Sequence, residues 1–247
     1  MKLYYEESGA GEAVLLLHGF TGFSGDWKPL LAELPDHFCY VIPDLPGHGQ
    51  SPTAGDVYTH REAAKAVYQL LDRLGIERFT ACGMSGGAMT LLHMATEQPS
   101  RVEGMILVSA TTHYTDQTRA IMAAVTPENM PVEEWQAMRK KHSQGDEQIR
   151  KLWVYSNAFK DDVDDMNFQP KDLEEITART LLIHGDSDPL IPVEVVETMH
   201  DSIPDALLWM IPAGGHVPVF GEEMPEFLRR TSQFLNKEFK PDRNTDQ

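Results

Sequence analysis

Two hydrophobic patterns alternate along the chain. Residues 13–17, 39–42, 102–109, 180–184 and 206–211 are short, largely apolar runs, and a similar run opens at Phe79. Runs without polar alternation are expected of strands buried on both faces of a parallel sheet. Residues 3–7 read as one further strand, followed by a turn at 8–11. Other segments carry apolar residues at three- and four-residue spacing, which predicts helices. The clearest is 59–74, where Ala63, Ala66, Val67, Leu70, Leu71 and Leu74 share a face and Gly75 supplies the stop. Further helices are predicted over 27–34, from Pro192 to about Ile203, and from Met224 to Glu238, ahead of a polar tail at 240–247 expected to fray. The alternation predicts an α/β fold: a mostly parallel central sheet with helices on both faces, joined by right-handed crossovers.

One stretch breaks the alternation. Between 111 and 177, three helical segments (116–125, 132–143 and 146–159) follow one another without a strand, separated by Pro127, Pro131 and Gly145. This predicts a small helical cap, 111–177, inserted into a core made of 1–110 and 178–247. Its aromatic residues Tyr114, Trp135, Trp153, Tyr155 and Phe159 are expected to pack between cap and core, with one or two facing a cleft. The acidic run 161–165 lacks the alternating ligands, central glycine and distal glutamate of a calcium-binding hand, so a solvated loop is expected.

At 247 residues the chain suits one α/β domain with such an insertion. A formal charge of −17 argues against nucleic acid or an anionic membrane as partner, since both would repel it. The two cysteines, Cys39 and Cys82, lie inside apolar runs and read as small core residues rather than a disulfide. No apolar leader or membrane span is visible, which makes a cytoplasmic protein the expectation.

The chemistry concentrates at strand ends. The run from Phe79 leads into Gly83-Met84-Ser85-Gly86-Gly87 and then a helix. This is a G-x-S-x-G pattern in a strand–turn–helix context, which lifts a serine hydroxyl above the sheet edge, with small residues needed two positions either side. The helix that follows turns its N-terminal N–H groups on the same point. A serine hydroxyl needs an adjacent base, usually a histidine oriented by a carboxylate. Strand 180–184 runs into a loop holding Asp186 and Asp188, and strand 206–211 into one holding His216. The order Ser85, Asp188, His216, with Asp186 as the rival acid, is that of one fold class, and loops after parallel strands converge on one edge. A metal site built on His184, Asp186 and Asp188 is not favoured.

With these residues in place, the chain resembles the α/β-hydrolase superfamily, in its small capped branch, over nearly its full length. The resemblance rests on His18-Gly19-Phe20, Asp44 to Ser51, Gly83 to Gly87, His184 to Asp188 with Pro192, and Gly214-Gly215-His216. It implies Ser85 as nucleophile, Asp188 rather than Asp186 as acid, His216 as base, and the backbone N–H groups of Phe20 and Gly86 as oxyanion donors. It implies a carboxylesterase acting on a small ester-like molecule with no metal or organic cofactor, as a monomer or homodimer. A lactonase, a carbon–carbon bond hydrolase, or a low-turnover ligand-binding or signalling member shares these motifs. One position departs from the pattern: relatives often carry a bulkier residue where Gly86 stands, so a wider pocket beside Ser85, or a backbone able to flex there, is expected.

Overall fold

The computed structural model describes residues 1–53 and 55–239, so the tail at 240–247 lies outside the described residues. Among them, β1 (Tyr5–Gly9), β2 (Glu12–Leu17), β3 (Phe38–Pro43), β4 (Phe79–Met84), β5 (Val102–Val108), β6 (Arg179–Gly185) and β7 (Ala206–Ile211) form one seven-stranded sheet. Its order is β1-β3-β2-β4-β5-β6-β7, with β1 antiparallel to β3 and every other neighbouring pair parallel. The helices are α1 (Lys28–Leu31), α2 (His60–Arg73), α3 (Gly86–Glu97), α4 (Asp116–Ala124), α5 (Val132–Lys141), α6 (Asp146–Ala158), α7 (Pro170–Leu173), α8 (Val193–Ser202) and α9 (Met224–Leu235). The mostly parallel α/β fold read from the sequence is the fold observed.

The apolar runs are unbroken because both sheet faces are covered. Leu15, Leu17, Ala81, Leu107 and Leu182 pack with residues of α2, α3 and α8 in one buried cluster. Their chain neighbours Val14, Leu16, Cys82, Ile106 and Ile183 pack with Leu30 of α1 and Phe227 and Phe234 of α9 in a second. Each of the Val, Leu, Ile and Phe side chains contributes about 1.5–3 kcal/mol by burial, and successive strand positions point to opposite faces, so both are apolar. Cys82 belongs to the second cluster, Cys39 is half-buried, and both thiols are free. α2 starts where its pattern places it, with Thr59 Oγ1 accepting the Glu62 N–H at 3.1 Å.

Two expectations need correction. Of the helix expected over 27–34, only Lys28–Leu31 is α-helical, after a 3-10 turn at Ser24–Trp27. After Leu31 the ladder tightens, with the Glu33 N–H donating to Leu30 O at 3.1 Å, so the last residues before Pro35 form a turn rather than α-helix. The acidic run 161–165 is not simply a solvated loop. Asp162 accepts the N–H groups of Asp164, Asp165 and Met166 at 3.0, 2.9 and 3.1 Å. Asp165 accepts the N–H groups of His60 and Arg61 at 2.6 and 3.1 Å, and lies 3.2 Å from His93 Nε2. A carboxylate there meets the positive end of α2. Burial pushes the Asp165 carboxyl up, but the His93 hydrogen bond and the charge of His60 outweigh it and hold it below its usual value.

Helices α4 to α7 lie between β5 and β6 with no strand among them. Strands β4 to β7 are parallel and in register, with Met84 opposite Val108, Val108 opposite Ile183, and Gly185 opposite Ile211. The loops that follow them therefore open at one edge, beneath this helical segment. Among the described residues, no helix is long and apolar enough to cross a membrane.

Candidate active site

β4 ends at Met84 and α3 begins at Gly86, leaving Ser85 alone to make the turn. Its backbone sits at φ +48° and ψ −116°, a strained conformation for a residue with a side chain. The turn leaves no room around it. A Cβ on Gly83 would lie 2.7 Å from the Gly87 carbonyl carbon, and one on Gly87 would lie 2.5 Å from Leu17 O. The Ser85 N–H donates to Val108 O at 2.8 Å, tying the turn to the end of β5.

The Ser85 hydroxyl meets His216 across 131 residues of chain, with 2.8 Å between Oγ and Nε2. On the other side of the imidazole, Nδ1 is 2.7 Å from Asp188 Oδ2. The remaining carboxylate oxygen, Oδ1, accepts the Leu190 and Ile191 N–H groups at 2.8 and 3.2 Å. An ionised carboxylate only accepts, so Nδ1 carries the proton and Nε2 turns its lone pair to the serine. Burial pushes the Asp188 carboxyl up, but the His216 hydrogen bond and charge and the Leu190 N–H outweigh it and hold it below its usual value. The arrangement can take the serine proton onto Nε2 and balance the resulting imidazolium with a desolvated carboxylate. Asp186 stands apart: it is exposed, and its Oδ1 accepts the Ala213 N–H at 2.7 Å and the Ser187 hydroxyl at 3.0 Å. It shapes the loop that carries the histidine.

Sequence reasoning missed Ser109. This fully buried residue follows β5 at φ +52°, and its Oγ accepts the Val217 N–H at 3.0 Å, beside His216. Its only sequence signal is its place at a strand end on the same edge.

Ser85 and His216 open into a cavity of about 300 Å³. Phe20 and Gly86 line it with them, and Met89, Ile121, Met122, Val125 and Leu190 make it largely apolar. Of the five aromatic residues expected between cap and core, Tyr114, Trp153 and Phe159 line this cavity, while Trp135 stacks against Arg150 and the Tyr155 hydroxyl donates to Gly55 O. The space expected beside Gly86 is already taken. A Cβ there would lie 3.1 Å from Phe20 N, 3.2 Å from Phe20 Cβ and 3.4 Å from His60 Cε1. Glycine at 86 lets Phe20 and His60 close in rather than widening the cavity.

Besides His184, whose Nδ1 lies 3.9 Å from Asp188 Oδ2, four further histidines are buried around the site. Leu45 N–H donates to His18 Nε2 at 3.0 Å, so His18 Nδ1 carries the proton given to Gly19 O at 2.8 Å. Burial pushes His18 and His48 below their ordinary value, and pushes His60 and His142 down to about 4. All four are therefore neutral near pH 7 in the folded chain. In the unfolded chain they bind protons from about pH 6.5 downwards, so folding stability falls with pH between about 6.5 and 4. For His60 and His142 the loss is on the order of 3 kcal/mol each by pH 4. Urea midpoints measured from pH 7.5 to 4 are expected to drop steeply below pH 6.5. A midpoint that stays flat until carboxylates titrate below pH 4 would contradict this. Among the described residues, no three His, Cys, Asp or Glu side chains come together as a metal-holding group, those of His184, Asp186 and Asp188 included.

Comparison with known proteins agrees with the fold. A family model described as alpha/beta hydrolase fold matches residues 12–142. RutD of Variovorax paradoxus (strain S110), whose name proposes a carbamate hydrolase, is 30% identical over 94% of this chain and 98% of its own. A 2-hydroxy-6-oxo-6-(2'-aminophenyl)hexa-2,4-dienoic acid hydrolase of Metapseudomonas resinovorans is 22% identical over 94% of this chain and 87% of its own. Among solved structures, a thermophilic esterase from Thermogutta terrifontis superposes with a TM-score of 0.76 at 24% identity, covering 96% of this chain and 94% of that one, a likeness of fold. The chain therefore belongs to the α/β-hydrolase family and is, at that level, a hydrolase.

Proposed function

We propose that the chain is a serine hydrolase that cleaves a carboxylic ester of a small molecule through a covalent acyl-enzyme, with residues 111–177 acting as a cap over a core of 1–110 and 178–247. One observation carries this: the hydrogen-bonded series Ser85–His216–Asp188 ends at an apolar cavity of about 300 Å³. Ser85 Oγ attacks the ester carbonyl as its proton passes to His216 Nε2. Negative charge develops on the carbonyl oxygen, and the N–H groups of Phe20 and Gly86 receive it, each worth roughly 3 kcal/mol in the transition state. His216 then protonates the departing alcohol, and the cycle repeats with water in the alcohol's place.

The cavity of about 300 Å³ bears on the substrate, since its largely apolar wall suits an acyl or aryl portion that is itself apolar. This favours an ester with a medium apolar portion over a compact carbamate, the substrate class in the name of RutD. A second reading, hydrolysis of a carbon–carbon bond, is supported by the Metapseudomonas resinovorans relative's name. The same serine and histidine would serve it.

A p-nitrophenyl ester series from acetate to decanoate, run beside a fluorophosphonate probe, tests the proposal. Turnover is expected to peak at intermediate chain length. The probe is expected to add once, on the peptide containing Ser85, and to stop turnover in proportion. Labelling at another residue with activity lost, or no hydrolysis of any ester, would overturn it.

A further inference from the structure

The loop that carries Phe20 is held in a conformation its sequence does not favour. Gly22 N–H donates to Gly19 O at 2.9 Å, closing a four-residue turn whose third residue is Thr21 at φ +66°. A turn with positive φ at that position ordinarily has glycine or asparagine there, and a β-branched residue is strained. Two imidazoles grip this residue by its backbone. Thr21 N–H donates to His48 Nε2 at 3.2 Å, and Thr21 O lies 3.2 Å from His142 Nε2. Their tautomers follow from their other partners. Pro46 O, 3.0 Å from His48 Nδ1, only accepts, so that nitrogen carries the proton and Nε2 is free to accept from Thr21. Gly49 N–H donates to His142 Nδ1 at 2.9 Å, so the His142 proton is on Nε2 and is given to Thr21 O. Burial keeps both rings neutral, as these roles require.

The two histidines come from different parts of the molecule. His48 belongs to the loop after β3, whereas His142 ends α5 in the helical segment, 121 residues from Thr21. Gln148 of α6 seats that segment on the same loop, donating to Gly47 O and Gly49 O at 2.9 Å each. Phe20, immediately before Thr21, packs edge-on against His48 and lines the cavity beside Ser85.

We propose that His142 is a positioning residue: by holding the strained Thr21 peptide it keeps the Phe20 N–H aimed at the developing oxyanion, so that turnover depends on the helical segment being seated. This rests on the reading of Ser85 and Phe20 given under Proposed function. When the segment lifts, His142 leaves with it, the turn relaxes toward negative φ, and a donor is lost with Ser85 and His216 untouched.

The test compares His142→Gln with His142→Met. Glutamine can donate to Thr21 O and accept from Gly49 N–H, whereas methionine has similar bulk and can do neither. His142→Gln is expected to stay within threefold of wild type. His142→Met is expected to lose at least tenfold in kcat with KM within threefold, and to bind phenylboronic acid, which mimics the tetrahedral adduct, at least tenfold more weakly. Combining it with Thr21→Asn, which accepts positive φ without a clamp, is expected to shrink the loss below threefold. A purely structural role would lower the melting temperature and leave the kcat-to-KM split and the Thr21→Asn rescue unseen. Equal kinetics of the Gln and Met variants, or a methionine loss unchanged by Thr21→Asn, would overturn the proposal. Ser85→Ala is run in parallel: if it too stays active, the underlying reading fails; if it alone is dead, only the role of His142 fails. Should His142→Met not fold, nitrogen-15 shifts of the wild-type imidazoles decide. An Nε2-protonated His142 that shifts on boronate binding supports the proposal, and an Nδ1-protonated or unresponsive ring overturns it.

Discussion

Ser85→Ala is expected to lower kcat on a p-nitrophenyl ester by about a million-fold, to the level set by binding and the N–H donors alone. That corresponds to about 8 kcal/mol of transition-state stabilisation. The size follows from the chemistry: the variant has no atom to form the acyl-enzyme, and His216 at 2.8 Å has nothing to deprotonate except water. The fold is expected to survive. The hydroxyl makes one hydrogen bond, to His216, and alanine keeps the Cβ whose backbone strain the wild type already bears. Measurement requires active-site titration of the wild type and a thermal melt of the variant. A correctly folded variant with more than about a thousandth of wild-type kcat would place the chemistry on another residue.

Asp188→Asn is expected to lower kcat by about ten-thousand-fold with little change in stability. The structure gives the reason. Leu190 and Ile191 hold one carboxylate oxygen with their N–H groups at 2.8 and 3.2 Å. In asparagine, the amide oxygen must take that place, because the NH₂ group would face two donors. The NH₂ then points at His216 Nδ1, where it can only donate. The histidine is forced into the opposite tautomer, with Nε2–H aimed at Ser85 and unable to accept its proton. Asp186→Asn, two residues away, is expected to stay within a few-fold of wild type, since Asp186 is exposed and its carboxylate bonds the Ser187 hydroxyl and the Ala213 N–H rather than His216. The pair is informative because both aspartates belong to the loop after β6, and Asp188 is the one that meets His216. Comparable losses in the two variants, or an active Asp188→Asn, would contradict the assignment.

Some of this was legible because the signals were local. Unbroken apolar runs such as Val14 to Leu17 follow from burial on both sheet faces. Gly83 is small because backbone atoms of Gly87 and Ala88, a few residues on, leave no space for a Cβ, whereas Gly87 is crowded by Leu17 O and His18 O at the end of β2. Other features were not legible. The role proposed for His142 depends on Thr21 O and Gly49 N–H, backbone groups 121 and 93 residues away that any residue type would present. Asp165 looked like part of a solvated acidic run, and only the packing of that run against α2 gives it helix N–H groups to accept. Gly86 suggested an opening, but what fills the space beside it comes from elsewhere in the chain: Phe20 from the loop after β2 and His60 from the start of α2.

By itself, the order of residues determined the α/β fold class, the strand ends where polar side chains emerge, and the strained serine turn, all of which rest on periodicity and near-neighbour sterics. Tertiary structure alone decided the distances at which Ser85, His216 and Asp188 meet, which aromatic residues wall the cavity, and how the Phe20 loop is gripped. Those outcomes turn on distances between segments far apart in the chain, where a shift of an ångström exchanges one hydrogen-bond partner for another.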